Sequence, residues 1–374
     1  MLQNKKIMML ATTDNMIWQF MLPHIQHLQS LGNTVECVCA RTGFWFDELI
    51  EKHNLVVHEI DFGRNPLKLK NLKSYKNLKA LQSERKFDLI YCQQPVGGMM
   101  GRLLGNKFKI PVIYTAHGFH FYKGCPLVNK LVYKNVEKWL SKFTDILITI
   151  NEEDYQNALK MKAKRVFKIS GIGMSFNKYQ ETNETKSEIK ESLKIGEDEF
   201  IIVTVAEFIK RKNYETMLKT IHELKSRNLK VRFIICGRGE QEQQIKRQIK
   251  ELHIEDQVLL LGFRKDINRI LTIADVFMLA SFQEGLTLSV IEAMSFGVPC
   301  VVSDVRGNRD LILDGKGGFV VGAKDYNGFA DKIELMINDD SLRLSAGEFN
   351  KEQSSRYAIK NVVQELNEIY KWVE

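Results

Sequence analysis

Cysteine and proline are scarce in this 374-residue sequence, with six of each. No two cysteines form a C-x-x-C pair, and most lie in or beside strand-like apolar runs, at Cys37, Cys39, Cys92, Cys236 and Cys300. Isolated cysteines of this kind are typical of buried thiols in a reducing compartment rather than of disulfides. We therefore expect a cytoplasmic location.

Long apolar runs are also absent. The longest are of strand length, which is too short to cross a bilayer. The N-terminal segment Met1–Leu10 has a lysine pair but too short an apolar run for a signal peptide, and we expect a first strand there. Internal repeats, low-complexity segments and nucleic-acid-binding motifs are missing as well. No Asp-x-Asp occurs in the chain, so a metal bridging a diphosphate has no obvious ligands.

The sequence is basic, with a formal net charge of +8 at pH 7. This charge points to an anionic partner, and without a nucleic-acid motif the better candidates are anionic lipid or a phosphorylated substrate. A helical segment from Arg64 to Lys86 contains a single acidic residue, Glu84. It is either a solvated helix face or a surface for anionic lipid headgroups. Its other basic residues are Lys68, Lys70, Lys73, Lys76, Lys79 and Arg85.

Strand-like runs and helical patterns alternate along the whole chain. This alternation predicts parallel sheets covered by helices on both faces, and the length suits two domains. The glycines in Gly171–Phe176 provide the backbone freedom that a hinge needs. The predicted domains are residues 1–172 and 173–353.

The most informative stretch runs from Glu284 to Cys300, with Glu292 eight residues after Glu284. We expect a helix that begins beside Glu284 and ends at Gly297, which places the carboxylates roughly 12 Å apart along its axis. The free N–H groups at the helix start can bind a phosphate, and carboxylates can hold sugar hydroxyls. The alternative is a helix with one capping and one solvated glutamate.

This stretch resembles the E-x7-E signature of retaining glycosyltransferases of family four, which have the GT-B fold. The segments Ser303–Ile312 and Asp314–Val320 resemble the next two blocks of that family. The resemblance implies an α/β protein of two Rossmann-like domains facing across a cleft. The N-terminal domain would bind the acceptor and the C-terminal one the nucleotide sugar, with the last helix, 354–374, crossing back onto the first.

The resemblance also implies roles for the donor site. Glu284 would hold the sugar hydroxyls and Glu292 the ribose. Lys212 matches a diphosphate ligand of the family, whereas Glu207 stands where an arginine is usual, which leaves Arg211 as the candidate second cation. The remaining donor contacts are Gly285, Leu286 and Thr287 at the helix start, Arg238 in a G-x-G turn, and Phe263 beside the base.

His117 follows a predicted strand at its carboxyl end, where parallel sheets bind ligands. A lone histidine there is either structural or catalytic, and the resemblance implies that it touches the donor sugar and the reacting centre. A zinc pair of His117 and His120 is rejected, because only Cys125 lies at ligand spacing. The exposed-looking residues Phe119, Phe121, Tyr122 and Lys123 would line an acceptor groove or, alternatively, pack the loop.

The resemblance implies a retaining transferase, and the missing Asp-x-Asp predicts that it is metal-independent and needs no cofactor. It would move a hexosyl or N-acetylhexosaminyl group from a UDP-sugar to a saccharide acceptor, which we expect to be linked to polyprenyl diphosphate. The family blocks favour surface polysaccharide synthesis, of capsule or lipopolysaccharide, by an enzyme peripheral to the inner face of the membrane. The alternatives are a sugar-nucleotide epimerase of the same fold and, because of Glu207, a non-catalytic sugar-nucleotide-binding scaffold.

Overall fold

A computed structural model describes residues 2–43, 45–63, 68–176 and 182–373. The chain divides into two units, one of Met1–Gly173 with Ile359–Glu374 and one of Met174–Ala358. At the division Gly173 has φ +80°, and a Cβ there would lie 2.9 Å from the Ile359 Cα, so this passage requires a glycine.

In the described residues, the first unit is built on a sheet of seven parallel strands in the order β3-β2-β1-β4-β5-β6-β7. The interior strand β1 pairs on both sides, with β2 and with β4. Strands that are buried on both faces need continuous apolar runs. This explains why the alternation of strands and helices could be predicted from the sequence. The strands are β1 Lys6–Thr13, β2 Thr34–Ala40, β3 Val56–Glu59, β4 Leu89–Gln93, β5 Val112–Ala116, β6 Ile146–Thr149 and β7 Arg165–Lys168.

Helices cover this sheet. They are α1 Asp14–Met16, continued by a π-helical turn Ile17–Met21, α2 Leu22–Ser30, α3 Trp45–Glu51, α4 Lys70–Arg85, α5 Pro95–Phe108, α6 Leu127–Leu140 and α7 Glu152–Ala158. A 3₁₀ turn Ser141–Phe143 follows α6. The predicted basic segment forms α4, and its part at 64–67 lies outside the described residues.

Over residues 174–176 and 182–358, the second unit repeats the pattern with six parallel strands in the order β10-β9-β8-β11-β12-β13. The strands are β8 Phe200–Val205, β9 Val231–Cys236, β10 Val258–Gly262, β11 Val276–Leu279, β12 Cys300–Ser303 and β13 Gly318–Val321. The helices are α8 Lys186–Ser192, α9 Tyr214–Ser226, α10 Glu242–Glu251, α11 Ile267–Thr272, α12 Leu288–Ser295, α13 Asn308–Leu311, α14 Tyr326–Asn338 and α15 Asp340–Ser354. The prediction of two Rossmann-like α/β domains is confirmed.

The C-terminal segment differs from the single predicted helix 354–374. Helix α15 ends at Ser354, a 3₁₀ turn follows, and the chain is extended at Ala358 before α16, Ile359–Tyr370. Helix α16 packs on the first unit, where Asn367 pairs with His27 at 2.7 Å and Glu365 accepts from the Ser170 amide at 2.7 Å. The extended residue breaks the helical pattern, and Glu374 lies outside the described residues.

Each sheet reverses its strand order at one point, between β1 and β4 in the first unit and between β8 and β11 in the second. The loops that leave the carboxyl ends of two such strands run in opposite directions and open a crevice between them. These two edges are therefore the places to look for ligand-binding side chains.

Candidate active site

In the second unit, the loops after β8 and β11 bring three predicted site residues together. The loop after β8 forms a 3₁₀ turn, Lys210–Lys212, and Glu284 lies in the loop between β11 and α12. The Lys212 Nζ donates to Glu284 Oε1 at 2.7 Å, and Arg211 Nη1 donates to Oε2 at 2.9 Å. These residues are adjacent because β8 and β11 are neighbouring strands.

The Glu284 carboxylate is almost fully buried, with 5% of its surface exposed, and Lys212 is buried beside it. Burial alone raises the pKa of Glu284, but attraction to Lys212 and Arg211 outweighs burial and leaves that pKa below its ordinary value. Glu284 is therefore ionised at neutral pH. Arg211 is only partly buried and also donates to the Gln283 carbonyl at 2.7 Å. Glu207, by contrast, is exposed.

A third loop, after β12, supports the Glu284 loop. Arg306 is buried and donates through Nε to the Glu284 carbonyl at 3.0 Å. Gly307 has φ +79°, and a Cβ there would lie 2.4 Å from the Gly285 carbonyl oxygen. The Thr287 hydroxyl donates to Asn308 Oδ1 at 2.9 Å. The predicted block Ser303–Ile312 thus fixes the shape of the Glu284 loop, a role for Arg306 and Asn308 that the sequence reasoning missed. Their position after a buried strand was the available signal.

Helix α12 begins at Leu288, later than expected, with Thr287 as its N-cap. Because the residues from Glu284 to Thr287 are not helical, the separation of about 12 Å derived from helical rise does not apply. The side chain of the N-cap residue Thr287 makes no hydrogen bond to the first turn of α12. Its first N–H groups and the positive end of its dipole therefore remain suited to an anion. Glu292 lies in the second turn and is half-buried.

Arg238 and Phe263, both predicted to contact the nucleotide, lie against each other. The Arg238 guanidinium is 4.7 Å from the centroid of the Phe263 ring. Phe263 follows β10 and is 58% exposed, an unusual exposure for a phenylalanine. The two loops are joined by Gly237, whose N–H donates to the Gly262 carbonyl at 2.8 Å. An exposed ring beside a guanidinium can stack on a planar base.

In the first unit, His117 lies just beyond the carboxyl end of β5. Its Nε2 is 2.8 Å from the Oε1 of Gln93, the last residue of the adjacent strand β4. Desolvation and the neighbouring His24 lower the pKa of His117 to about 4, so the ring is neutral at physiological pH. A neutral imidazole can donate one hydrogen bond and accept another.

Two further polar side chains lie at this edge, and the sequence reasoning missed both. His24 is buried, and its Nε2 is 2.6 Å from the Ile172 carbonyl. Burial lowers the pKa of His24 to about 4. Within the described part of the chain, His24 Nδ1 and Gln93 Nε2 are buried without a hydrogen-bond partner. Buried polar atoms of this kind are uncommon and indicate a place where a polar ligand or water binds.

The expectation that Phe119 and Phe121 are exposed is wrong. Both are buried in the core of the first unit, and their rings stack at 4.8 Å. The Phe119 amide donates to the Asp154 carboxylate at 3.1 Å, which turns the loop inward. Tyr122 is half-buried and Lys123 is exposed. Loop packing, the alternative considered above, describes the two phenylalanines.

The basic helix α4 is partly neutralised by acidic residues outside the helix. Lys70 pairs with Asp61, and Arg85 donates to Glu36 at 2.5 Å. Burial alone raises the pKa of Glu36, but hydrogen bonds from Arg85, His58 and Lys6 lower it to about 2. Two of the predicted basic residues are thus committed to structural ion pairs.

Within the described residues, no group of three metal-ligating side chains is suited to hold a metal ion, and no helix has the length and apolarity needed to cross a membrane. Metal-independent transfer remains a prediction.

Comparison with known proteins gives consistent matches. A family model for glycosyl transferases of group 1 matches residues 185–353, and a model for glycosyl transferase 4-like domains matches residues 6–151. EpsD of Bacillus subtilis, a protein named as a glycosyltransferase, is 33% identical over 98% of this chain and 96% of its own length. A protein of Escherichia coli named UDP-Gal:alpha-D-GlcNAc-diphosphoundecaprenol alpha-1,3-galactosyltransferase is 29% identical over 82% of this chain and 81% of its own.

Solved structures share the fold at low sequence identity. Anabaena HepE, solved in complex with UDP and glucose, is 18% identical with a TM-score of 0.80 over 98% of this chain and 99% of that one. Sucrose-phosphate synthase of Thermosynechococcus elongatus is 17% identical with a TM-score of 0.84 over 98% of each chain. These likenesses establish the GT-B fold.

Proposed function

The chain belongs to the group 1 glycosyl transferases, and from this we propose that it transfers a hexosyl or N-acetylhexosaminyl group from a UDP-sugar to a polyprenyl-diphosphate-linked saccharide. The process would be bacterial surface polysaccharide synthesis. The single observation that carries the proposal is the buried Glu284 between Lys212 and Arg211, beside the N-terminus of α12.

We assign the donor diphosphate to Lys212, Arg211 and the first amides of α12. As the glycosidic bond breaks, negative charge grows on the leaving diphosphate, and preorganised cations and amides stabilise that charge. This arrangement would supply what a bridging metal supplies in other transferases. Glu284 would bind the sugar hydroxyls, and its ion pairs hold the carboxylate in the charged form that accepts hydrogen bonds.

The nucleoside would lie along the same edge of the sheet. The exposed Phe263 ring and the Arg238 guanidinium offer a stacking surface for uracil. Glu292, in the second turn of α12, is the candidate for the ribose hydroxyls. Contacts to base and ribose do not change during the reaction, so they contribute to donor affinity rather than to the chemical step.

We propose that His117 contacts the sugar at the reacting centre as a neutral ring. Its hydrogen bond to Gln93 orients the imidazole, which leaves Nδ1 for the substrate. We also propose retention, with the leaving phosphate taking the acceptor proton on the same face. The names of two relatives, from Escherichia coli and Campylobacter jejuni, specify alpha-1,3 products. An alpha product made from an alpha-linked UDP-sugar retains configuration.

The acceptor class rests on the same relatives, whose names specify sugars linked to diphosphoundecaprenol or diphospho-undecaprenol. An acceptor with a polyprenyl chain is anchored in a bilayer. We therefore also propose that this enzyme works peripherally at the inner face of the membrane. Of the predicted acceptor contacts, Tyr122 and Lys123 remain candidates because they are not fully buried.

The test is an assay of UDP release with a panel of UDP-sugars, each with and without an undecaprenyl-diphosphate-linked sugar. We expect product only when donor and acceptor are both present, and loss of product with Lys212→Ala. Conversion of a UDP-sugar to its epimer without acceptor would favour an epimerase, and binding of UDP-sugar without turnover would favour a scaffold. Product with a free soluble sugar alone would refute the acceptor class.

A further inference from the structure

Helix α6 presents an apolar surface to solvent. Its exposed residues, here called the α6 apolar surface, are Leu127, Val128, Leu131, Val132, Val136 and Trp139, and each is between 40% and 75% exposed. Of the fourteen residues of α6, only Leu140 is buried. Soluble proteins rarely expose a contiguous apolar patch of this kind unless it binds something.

The orientation of α6 is fixed by contacts on its inner side. Glu137 forms a bidentate ion pair with Arg102 of α5, at 2.7 and 3.2 Å, and Arg102 is fully buried. Leu140 is buried one turn further along, and Tyr133 packs against the core one turn before. Because these residues recur at intervals of three and four, they share one face of the helix. The α6 apolar surface therefore faces solvent, because the Arg102–Glu137 ion pair holds the opposite side of the helix against the protein.

Lysines accompany this surface. Lys130, Lys134 and Lys138 are spaced by four residues and form a basic stripe along the helix. In the described part of the chain, none of the three pairs with a carboxylate. Apolar side chains with tryptophan on one side and lysines on the other are typical of helices that lie in the headgroup region of an anionic membrane. A second copy of this chain fits less well, because a symmetric contact through α6 would bring its lysines together.

The position of α6 in the first unit also fits a membrane-bound acceptor. It begins directly after the loop 117–126, which leaves β5 at the edge where His117 lies. Helix α5 contacts both α6 and α4, where the Tyr75 hydroxyl donates to the Leu103 carbonyl at 3.2 Å. Helix α4 adds the exposed residues Leu72, Lys73 and Lys76, and its N-cap residue Leu69 is exposed as well.

We propose that the α6 apolar surface with its lysine stripe is the main membrane-docking surface of this enzyme and takes an anionic phospholipid bilayer. This inference rests on the proposed lipid-linked acceptor, and it moves the main membrane contact from α4 to α6. The sequence pointed to α4, whereas the structure assigns the apolar part of the contact to α6. Docking there holds the bilayer next to the loop that carries His117, where a membrane-anchored acceptor has to arrive.

The test is sedimentation of the full-length protein with vesicles of phosphatidylglycerol and phosphatidylcholine, and with phosphatidylcholine alone. The wild type is expected to bind the anionic vesicles preferentially. Lys130→Gln/Lys134→Gln/Lys138→Gln should lower the partition coefficient roughly a hundredfold, at about fivefold for each lysine. Leu131→Glu/Val132→Glu should lower it at least about tenfold. Leu344→Glu, an equally exposed leucine of α15 in the second unit, is the matched control and should bind as wild type.

Transfer to two acceptors separates this proposal from the proposed function. On a water-soluble, short-chain diphosphate-linked acceptor, the α6 variants should keep the wild-type rate. On the undecaprenyl form in anionic vesicles they should lose it. Vesicle binding through α6 without transfer to either acceptor would support the docking proposal and refute the acceptor class. Wild-type binding by the α6 variants would overturn the docking proposal. A dimer that Leu131→Glu/Val132→Glu dissociates, with no vesicle binding, would overturn it in favour of a second copy.

Discussion

Replacing Glu284 by glutamine tests the central interaction of the candidate site. The change removes the charge that Lys212 and Arg211 share, while the side chain keeps nearly the same size. Breaking a buried ion pair by removing one partner costs about 3–5 kcal/mol. The lower end applies here, because the Arg211 side chain is 40% exposed and solvent compensates for part of its loss. We expect the melting temperature of the second unit to fall by roughly 6–12 °C.

The same change should affect the reaction in a characteristic way. If Lys212 and Arg211 bind the diphosphate, then in the wild type Glu284 competes for them. In Glu284→Gln both cations are free for UDP, so UDP should bind more tightly and raise the melting temperature more than in the wild type. The kcat should nevertheless fall roughly 10- to 150-fold, because a charged hydrogen bond to the sugar is lost as the glycosidic bond breaks.

Calorimetric titration with UDP, thermal unfolding with and without UDP, and steady-state kinetics measure these three quantities on one pair of proteins. The pH dependence gives a fourth. Because the folded-state pKa of Glu284 is lowered, its contribution to stability is present above the ordinary carboxyl pKa of 4.5 and is lost as the pH falls through the folded value. Glu284→Gln should lack this pH-dependent contribution to the free energy of unfolding. A donor KM raised tenfold with kcat unchanged, together with equal stabilisation of both proteins by UDP, would refute the reasoning.

The remaining predictions concern separate parts of the protein. Lys212→Ala should lower kcat/KM about 100- to 1,000-fold. The matched variant Lys210→Ala, at an exposed lysine nearby, should change kcat/KM less than about threefold. Equal effects of the two changes would contradict the diphosphate role of Lys212. Glu292→Ala and Phe263→Ala should each raise the donor KM about tenfold with little change in kcat, and a fall in kcat alone would contradict a ribose or base contact. Transfer should survive EDTA, and complete loss restored by Mn²⁺ would show that a metal is required. Burial lowers the pKa of His24 to about 4 in the folded protein. Between pH 6.5 and that value, His24 is therefore protonated in the unfolded chain but neutral in the folded protein. The free energy of unfolding in urea should therefore fall by about 2 kcal/mol between pH 7.5 and 5 from this residue, and an unchanged pH slope in His24→Gln would disprove it.

Much of the fold could be predicted from short-range pattern. Strand β2, Thr34–Ala40, coincides with an apolar run and is buried at six of its seven positions. The ends of the strands are less predictable, because they depend on which neighbouring strand supplies hydrogen bonds. The C-terminal helix was less predictable, since the break at Ala358 is set by the passage of the chain between units. Strand β13, Gly318–Val321, is less evident in the sequence, because it begins at a glycine with φ +129° and glycine is uncommon in strands.

The sequence singled out candidate site residues, but it did not give their arrangement. The E-x7-E stretch and Lys212 could be found because their spacing is local. Their contact joins positions 72 residues apart and depends on the strand order that places β8 beside β11. For the same reason His24 and Gln93 escaped notice, since neither has a local motif, and they gain meaning only from being buried beside His117.

The sequence by itself determined the two α/β units and, through its resemblance to known blocks, the family; it also supplied the candidate residues of the proposed donor site. It could do so because buried parallel strands require apolar runs and because a helix start with flanking carboxylates is a local feature. Only the tertiary structure decided which charges pair and which apolar side chains are covered. Arg85 on α4 is paired with Glu36, Phe119 is buried, and the apolar surface of α6 faces solvent. Periodicity shows that a helix has an apolar face, but what covers that face depends on packing against residues that are distant in sequence.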